Sequence, residues 1–107
     1  MRGVGYRVRG LTAMGTHVLK TWPEFYQPIV CGEKTTELRK NDRNFKVGDE
    51  LRLREFDPKT KRYSGHEASA RIIGIILKSP GLTPDYCAIS IKLIRTHFNG
   101  ARAGKKR

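Results

Sequence analysis

The chain has 107 residues, 37% of them hydrophobic, and a formal net charge of +12, which suits one small domain with one modest core. No apolar run approaches the roughly 20 residues a membrane-spanning helix needs, and the basic start MRGVGYRVRG has no apolar segment of secretory type behind it, so a soluble cytoplasmic protein is expected. Two distant cysteines, Cys31 and Cys87, and three scattered histidines, His17, His66 and His97, show neither paired-cysteine nor metal-ligand spacing; free thiols, no metal and no cofactor are expected.

The positive charge is concentrated at the ends. Residues 1–15 carry +3, residues 92–107 carry +6, and the body between them has 13 basic and 10 acidic side chains. Basic ends attract polyanions without reading their sequence. Residues 1–15, rich in glycine, read as a flexible basic arm, with Met14 an alternative start. Residues 16–94 read as the folded domain, and residues 95–107 as a basic tail.

In chain order, His17–Trp22 (HVLKTW) has strand character. Pro23 opens a short helix over 23–31, with Thr21 or Trp22 as its cap. Phe25, Ile29 and Val30 form its apolar stripe, Pro28 restricts it, and Gly32 stops it. Thr35–Lys40 (TTELRK) reads as a strand with Thr36 and Leu38 on one face and Glu37 and Arg39 on the other. Asn41–Asn44 and Val47-Gly48-Asp49 are turns, in which Asp42 and Asp49 act as turn formers. Glu50–Phe56 (ELRLREF) alternates as a strand, and Asp57-Pro58-Lys59-Thr60 turns it back to Tyr63 in a hairpin. Glu67–Lys78 is a long strand whose run Ile72–Leu77 predicts burial on both faces, with a bulge at Gly74. Tyr86–Ile94 is the last strand. These elements predict a mostly β, α+β fold of about five strands with one short helix near the start. A partly closed small barrel avoids open edges; a flat α+β sandwich is the alternative.

Residues 31–42, CGEKTTELRKND, concentrate charge of both signs. Lys34 follows the glycine turn, and Glu37 and Arg39 share a strand face. Arginine offers a planar fork of donors, lysine a point charge and glutamate an acceptor for amino groups. Such a set suits a base edge or a phosphate; the plain alternative is an exposed ion-pair network.

The stretch HVLKTWPEFYQPIVCGEKTTELRKNDRNFKVGDELRLREFDP, with YSG and GLTPDYCAISI further on, resembles the ASCH superfamily, in a branch of unknown function common in phages and bacteria. The resemblance covers residues 16–94, and its distinctive element is G-x-K-x-x-E-x-R, here Gly32, Lys34, Glu37 and Arg39. It implies a PUA-like β-barrel, similar to a small RNA-binding domain, with a cleft between helix and barrel lined by the motif. Family members bind RNA, some cleave it, and one branch hydrolyses amides on modified cytidines. That branch places a threonine three residues after the lysine, where this chain has Glu37, so a binding module is favoured over a hydrolase. A phage accessory protein with a protein partner is a further alternative.

The expected ligand is RNA or a nucleotide-like molecule, bound by a monomer. The ligand-binding candidates are Gly32, Lys34, Glu37, Arg39, Asn41, Trp22 and Tyr86, with Lys34 and Glu37 the candidate catalytic pair should the protein be an enzyme. Tyr26 is a further stacking candidate. Lys40, Arg43, Arg54, Lys105, Lys106 and Arg107 are candidates for a nucleic-acid rim. His17 and His66 read as structural or surface residues.

Overall fold

The computed structural model describes residues 15–105. Residues 1–14 of the expected 1–15 arm and the rim candidates Lys106 and Arg107 lie outside the described residues. Five strands and one helix follow in the order β1 (Thr16–Thr21), α1 (Pro23–Val30), β2 (Thr36–Lys40), β3 (Glu50–Asp57), β4 (Arg62–Ile76) and β5 (Tyr86–Phe98). The strands form one sheet in the order β1-β3-β4-β5-β2, curled into a half-barrel. This is the mostly β architecture with a single early helix that the sequence predicts, and a single curled sheet replaces the flat sandwich.

β1 runs parallel to β3, while the other pairs are antiparallel. A parallel neighbour requires a long crossover, and here α1 and β2 lie within it. The core fills the concave side. Leu19, Leu51 and Leu53 meet Ala68, Ala70, Ile72, Ile89 and Ile91, and the helix closes one end with Tyr26 and Ile29. Small alanines on β4 let the sheet curl tightly around these branched side chains.

The segment before β3 ties the barrel to the start of β1. The Asp49 carboxylate accepts the amides of Gly15 (3.0 Å) and Lys46 (3.1 Å) and bonds His17 Nε2 at 2.8 Å. Burial alone would raise the Asp49 pKa, but these bonds and the His17 charge outweigh it and hold the carboxyl below its ordinary value. Asp49 thus acts as the turn former its sequence context predicts. His17 also packs edge-on against Phe45.

Several expectations need correction. The helix buries Tyr26 and Ile29, not the stripe Phe25, Ile29 and Val30. The N-cap position is Trp22, one of the two residues expected there, without a side-chain cap bond, and the Thr21 hydroxyl meets Arg39. The Ile72–Leu77 run is not buried on both faces: Ile72 is buried, but Ile73, Ile76 and Leu77 are exposed, because β4 has a helix or core on one side only. The register does shift between Ile72 and Gly74, as the glycine suggests. β5 continues to Phe98 rather than ending at Ile94, since β4 begins early enough to pair it that far. Residues 99–105 then fold back, with Asn99 N donating to Gly65 O (2.7 Å), Gly104 N to Tyr63 O (2.7 Å) and Tyr63 N to Lys105 O (2.9 Å).

Candidate ligand-binding cleft at the barrel seam

The half-barrel leaves two edges, β1 and β2, facing each other. Side chains bridge them. Arg39 Nη2 donates to Lys20 O (3.0 Å) and Thr21 Oγ1 (3.3 Å), and Arg43 Nη1 donates to Val18 O (2.9 Å). Two guanidinium groups thus satisfy edge carbonyls that a closed barrel would pair through its backbone.

Local chain chemistry places the motif at this seam. α1 ends when Cys31 N bonds Gln27 O (3.2 Å) and Gly32 N bonds Ile29 O (3.1 Å). Gly32 takes φ = +85°, a left-handed conformation that a side chain disfavours. The reversal lets Lys34 N reach back to Pro28 O at 3.0 Å, which fixes the lysine beside the start of β2. In β2, Glu37 pairs with Ile89, a core residue, so the charged face of this edge strand turns inward and Leu38 turns out.

Glu37 is only 5% exposed. Its Oε1 accepts Lys34 Nζ at 2.6 Å and its Oε2 accepts Arg39 Nε at 2.7 Å; the lysine also donates to Thr36 O. One buried carboxylate therefore holds two cations, and one positive charge is left over. Around this trio opens a cleft of ≈ 760 Å³ lined by Lys20, Thr21, Trp22, Phe25, Lys34, Thr36, Glu37, Leu38, Arg39, Lys40 and Tyr86. Trp22 and Phe25 stack with ring centroids 6.1 Å apart, and they and Tyr86 each remain about 40–46% exposed. Exposed, stacked aromatics beside a polar floor form a surface for a flat, hydrogen-bonding ligand.

Residues 16–91 match the model of a protein family described as a domain of unknown function, DUF3850. The chain belongs to the DUF3850 family. No curated protein matches the chain. The DUF3850 segment contains every residue of the cleft and all of β1 to β4, and it ends within β5.

Of the residues singled out from the sequence, the DUF3850 fold gathers Lys34, Glu37, Arg39, Lys40, Trp22 and Tyr86 into the cleft. Gly32 stands behind it as the turn that positions Lys34. Asn41 lies at the far end of β2, where its amide bonds Asp85 O at 2.7 Å. Arg43 and Arg54 line a neighbouring pocket, and Lys105 belongs to the returning C-terminal segment. Tyr26 is buried rather than available for stacking; burial, with the Glu55 and Glu67 charges adding to it, pushes its hydroxyl up to about 12. His66 packs against Phe98 at 5.1 Å.

The sequence reading missed Phe25, Lys20, Thr21, Thr36 and Leu38 in the cleft. Phe25 carried a signal that was misassigned. It stands two residues after the helix-opening Pro23, so it shares the exposed first turn with Trp22. Among the described residues no hydroxyl or thiol is hydrogen bonded to Lys34 Nζ or to the Glu37 carboxylate. No helix among them is long and apolar enough to cross a membrane.

Proposed function

We propose that the chain is a small PUA-like binding module of ASCH type that takes a nucleobase, free or carried by RNA, into the seam cleft. The carrying observation is the buried Glu37, its two oxygens each fixed by one cation, at the floor of a cleft walled by Trp22, Phe25 and Tyr86. A flat base would slide against the aromatics. Its amino or imino hydrogens would reach the remaining lone pairs of Glu37, and its carbonyl or ring nitrogen the free donors of Arg39 and Lys34. The net charge of +12 favours ligands that carry phosphate.

Hydrolysis of an amide or a phosphodiester receives less support. The position that would hold a nucleophile beside Lys34 is occupied by Glu37, and the carboxylate is committed to both cations.

The test is a titration of nucleosides, nucleotides, short RNAs and single-stranded DNAs at low salt. Trp22 is the sole tryptophan, so its emission reports the cleft directly. Saturable quenching that is lost in Trp22→Ala and weakened in Glu37→Gln is the expected result. Failure of all four ligand classes to bind removes the reading. Turnover of RNA or acylated cytidine that depends on both Lys34 and Glu37 would replace it with an enzyme.

A further inference from the structure

Beside the seam cleft lies a second pocket of ≈ 350 Å³ lined by Val18, Leu19, Lys20, Arg39, Arg43, Arg54 and Tyr63. Four of its residues are cationic and none is acidic. They come from β1, β2, the turn after β2, and β3. The two hollows share Lys20 and Arg39, so they are separated by no more than a side chain.

The three arginines each have a carboxylate near Nε, at different closeness. Each meets its carboxylate through Nε: Arg39 with Glu37 at 2.7 Å, Arg43 with Asp42 at 3.9 Å, and Arg54 with Glu67 at 3.4 Å. The last two are ion contacts rather than aligned hydrogen bonds. The outer ends of the guanidiniums are spent only in part. Arg39 Nη2 and Arg43 Nη1 donate to the seam. The remaining terminal N–H groups of these two, and both of those of Arg54, have no hydrogen-bond acceptor among the described residues. Burial of a guanidinium normally consumes its donors, because an unmet donor costs free energy. Arg39 is fixed at its root by Glu37, Arg54 is drawn to Glu67 by charge with 20% of its side chain exposed, and Arg43, 45% exposed, presents its tip to solvent; all three keep open donors.

The carboxylates do not cancel the charge. Glu37 is shared by Lys34 and Arg39, and Glu67 by Arg54 and Arg102, whose Nε lies 3.3 Å from it, with His97 Nε2 3.3 Å from its other oxygen. Glu37 and Glu67 therefore each leave a positive surplus beside the pocket, while the buried Glu55 is met by the neutral Gln27 amide. Forked, pre-oriented guanidiniums with a net positive field are the arrangement that matches a phosphate group.

We infer that this pocket binds the phosphate of the nucleotide whose base occupies the seam cleft, with Arg43 and Arg54 as its main anchors and Lys20 and Arg39 between phosphate and base. The inference rests on the base-binding reading for its geometry but not for its chemistry. The phosphate is either a terminal monoester or a diester within a chain.

Calorimetric titrations of the full chain decide it, with the four ribonucleosides, their 5′- and 3′-monophosphates, the corresponding dinucleotides and inorganic phosphate as probes. A phosphorylated ligand should bind at least about tenfold tighter than its nucleoside, the gain of one charge-assisted contact set. Arg54→Gln should abolish most of that ratio while the nucleoside affinity stays within about twofold, and Arg43→Gln should do the same. Arg43→Gln also removes the bond to Val18, so Arg54→Gln decides if Arg43→Gln melts early. A gain confined to dinucleotides and lost in Arg54→Gln supports the pocket and assigns it to a diester. Equal affinity for nucleoside and nucleotide, or a gain that survives both substitutions, overturns the inference and leaves the cleft reading intact. Should nucleosides fail to bind while inorganic phosphate or dinucleotides bind through Arg43 and Arg54, the base reading falls and the phosphate pocket stands.

Discussion

Replacing Glu37 with glutamine tests the centre of the site. The amide keeps the shape and volume of the carboxylate but one of its two heads becomes a donor. That head must then face either the Lys34 ammonium or the Arg39 guanidinium, both donors only. One charge-assisted bond is lost outright and the other weakens to a neutral acceptor. A hydrogen bond to a charged group contributes about 1.5–3 kcal/mol. Lys34 and Arg39 keep 26% and 24% of their side-chain exposure, so water recovers part of the loss for each cation. The net cost of Glu37→Gln is then about 2 kcal/mol, which lowers Tm by roughly 10 °C in a domain of this size. Thermal unfolding followed by circular dichroism measures the shift, and urea unfolding with an unchanged m-value shows that the folded state is otherwise retained. A double-mutant cycle with Arg39→Met isolates the pair, with an expected coupling of at least about 1 kcal/mol. A Tm within about 2 °C of the parent, together with zero coupling, would refute the claim that Glu37 organises the two cations.

Other outcomes follow from the same geometry. The Asp49 carboxyl has a folded pKa below its ordinary value, so its contribution is fully present above the unfolded value and is lost as pH falls through the folded one; Asp49→Asn should flatten the acid limb of the Tm-against-pH curve below about pH 5, and an unchanged limb would contradict this. Tyr26 has the opposite sign: with its hydroxyl raised to about 12, its stabilisation persists up to the unfolded value near 10 and fades as pH climbs toward 12. Absorbance titration at alkaline pH should show a late phenol phase that Tyr26→Phe removes. Gly32→Ala meets no atom within 4 Å but must adopt φ = +85°, at a cost of about 1–2 kcal/mol. Gly65→Ala combines φ = +94° with contacts of 2.6 Å to the Phe98 ring and 2.9 Å to Ala103 Cβ, so chemical denaturation should find it the more damaging of the two.

The elements that show in the sequence are those whose local pattern and tertiary setting agree. ELRLREF alternates because β3 has core on one side and solvent on the other. The Gly32 stop and the DPKT turn follow from backbone chemistry that acts within a few residues. The Ile72–Leu77 run misleads because composition does not reveal which face is covered. Likewise the end of β5 is charged and irregular, and its strand form comes from pairing with β4. At the site, the shared face of Glu37 and Arg39 is legible from a period of two. That the charged face points inward is not, since it depends on β2 being an edge strand at an open seam. The arginine-lined second pocket is the extreme case. Lys20, Arg43 and Arg54 are distant in sequence, and only the order β1-β3-β4-β5-β2 brings them together.

The seam itself explains why the two hollows occur where they do. In a fully hydrogen-bonded barrel the backbone satisfies every edge group, and no polar side chain has reason to turn inward. Here β1 and β2 stay apart, and their exposed carbonyls call for donors. Arg39 and Arg43 supply them, but each guanidinium carries more N–H groups than the edge can accept. The excess donors, with the Arg39 stem fixed by the buried Glu37, leave the protein with directed hydrogen-bonding capacity along one line of its surface. The aromatic first turn of α1 flanks one end of that line and the arginines of β3 and the β2 turn flank the other. A ligand with a flat apolar body and an anionic group uses both ends at once, whereas a purely apolar or a purely anionic ligand uses one. The incomplete closure of the sheet is thus the structural source of both hollows, and the side-chain bridges across the seam carry donors that the backbone edges do not consume.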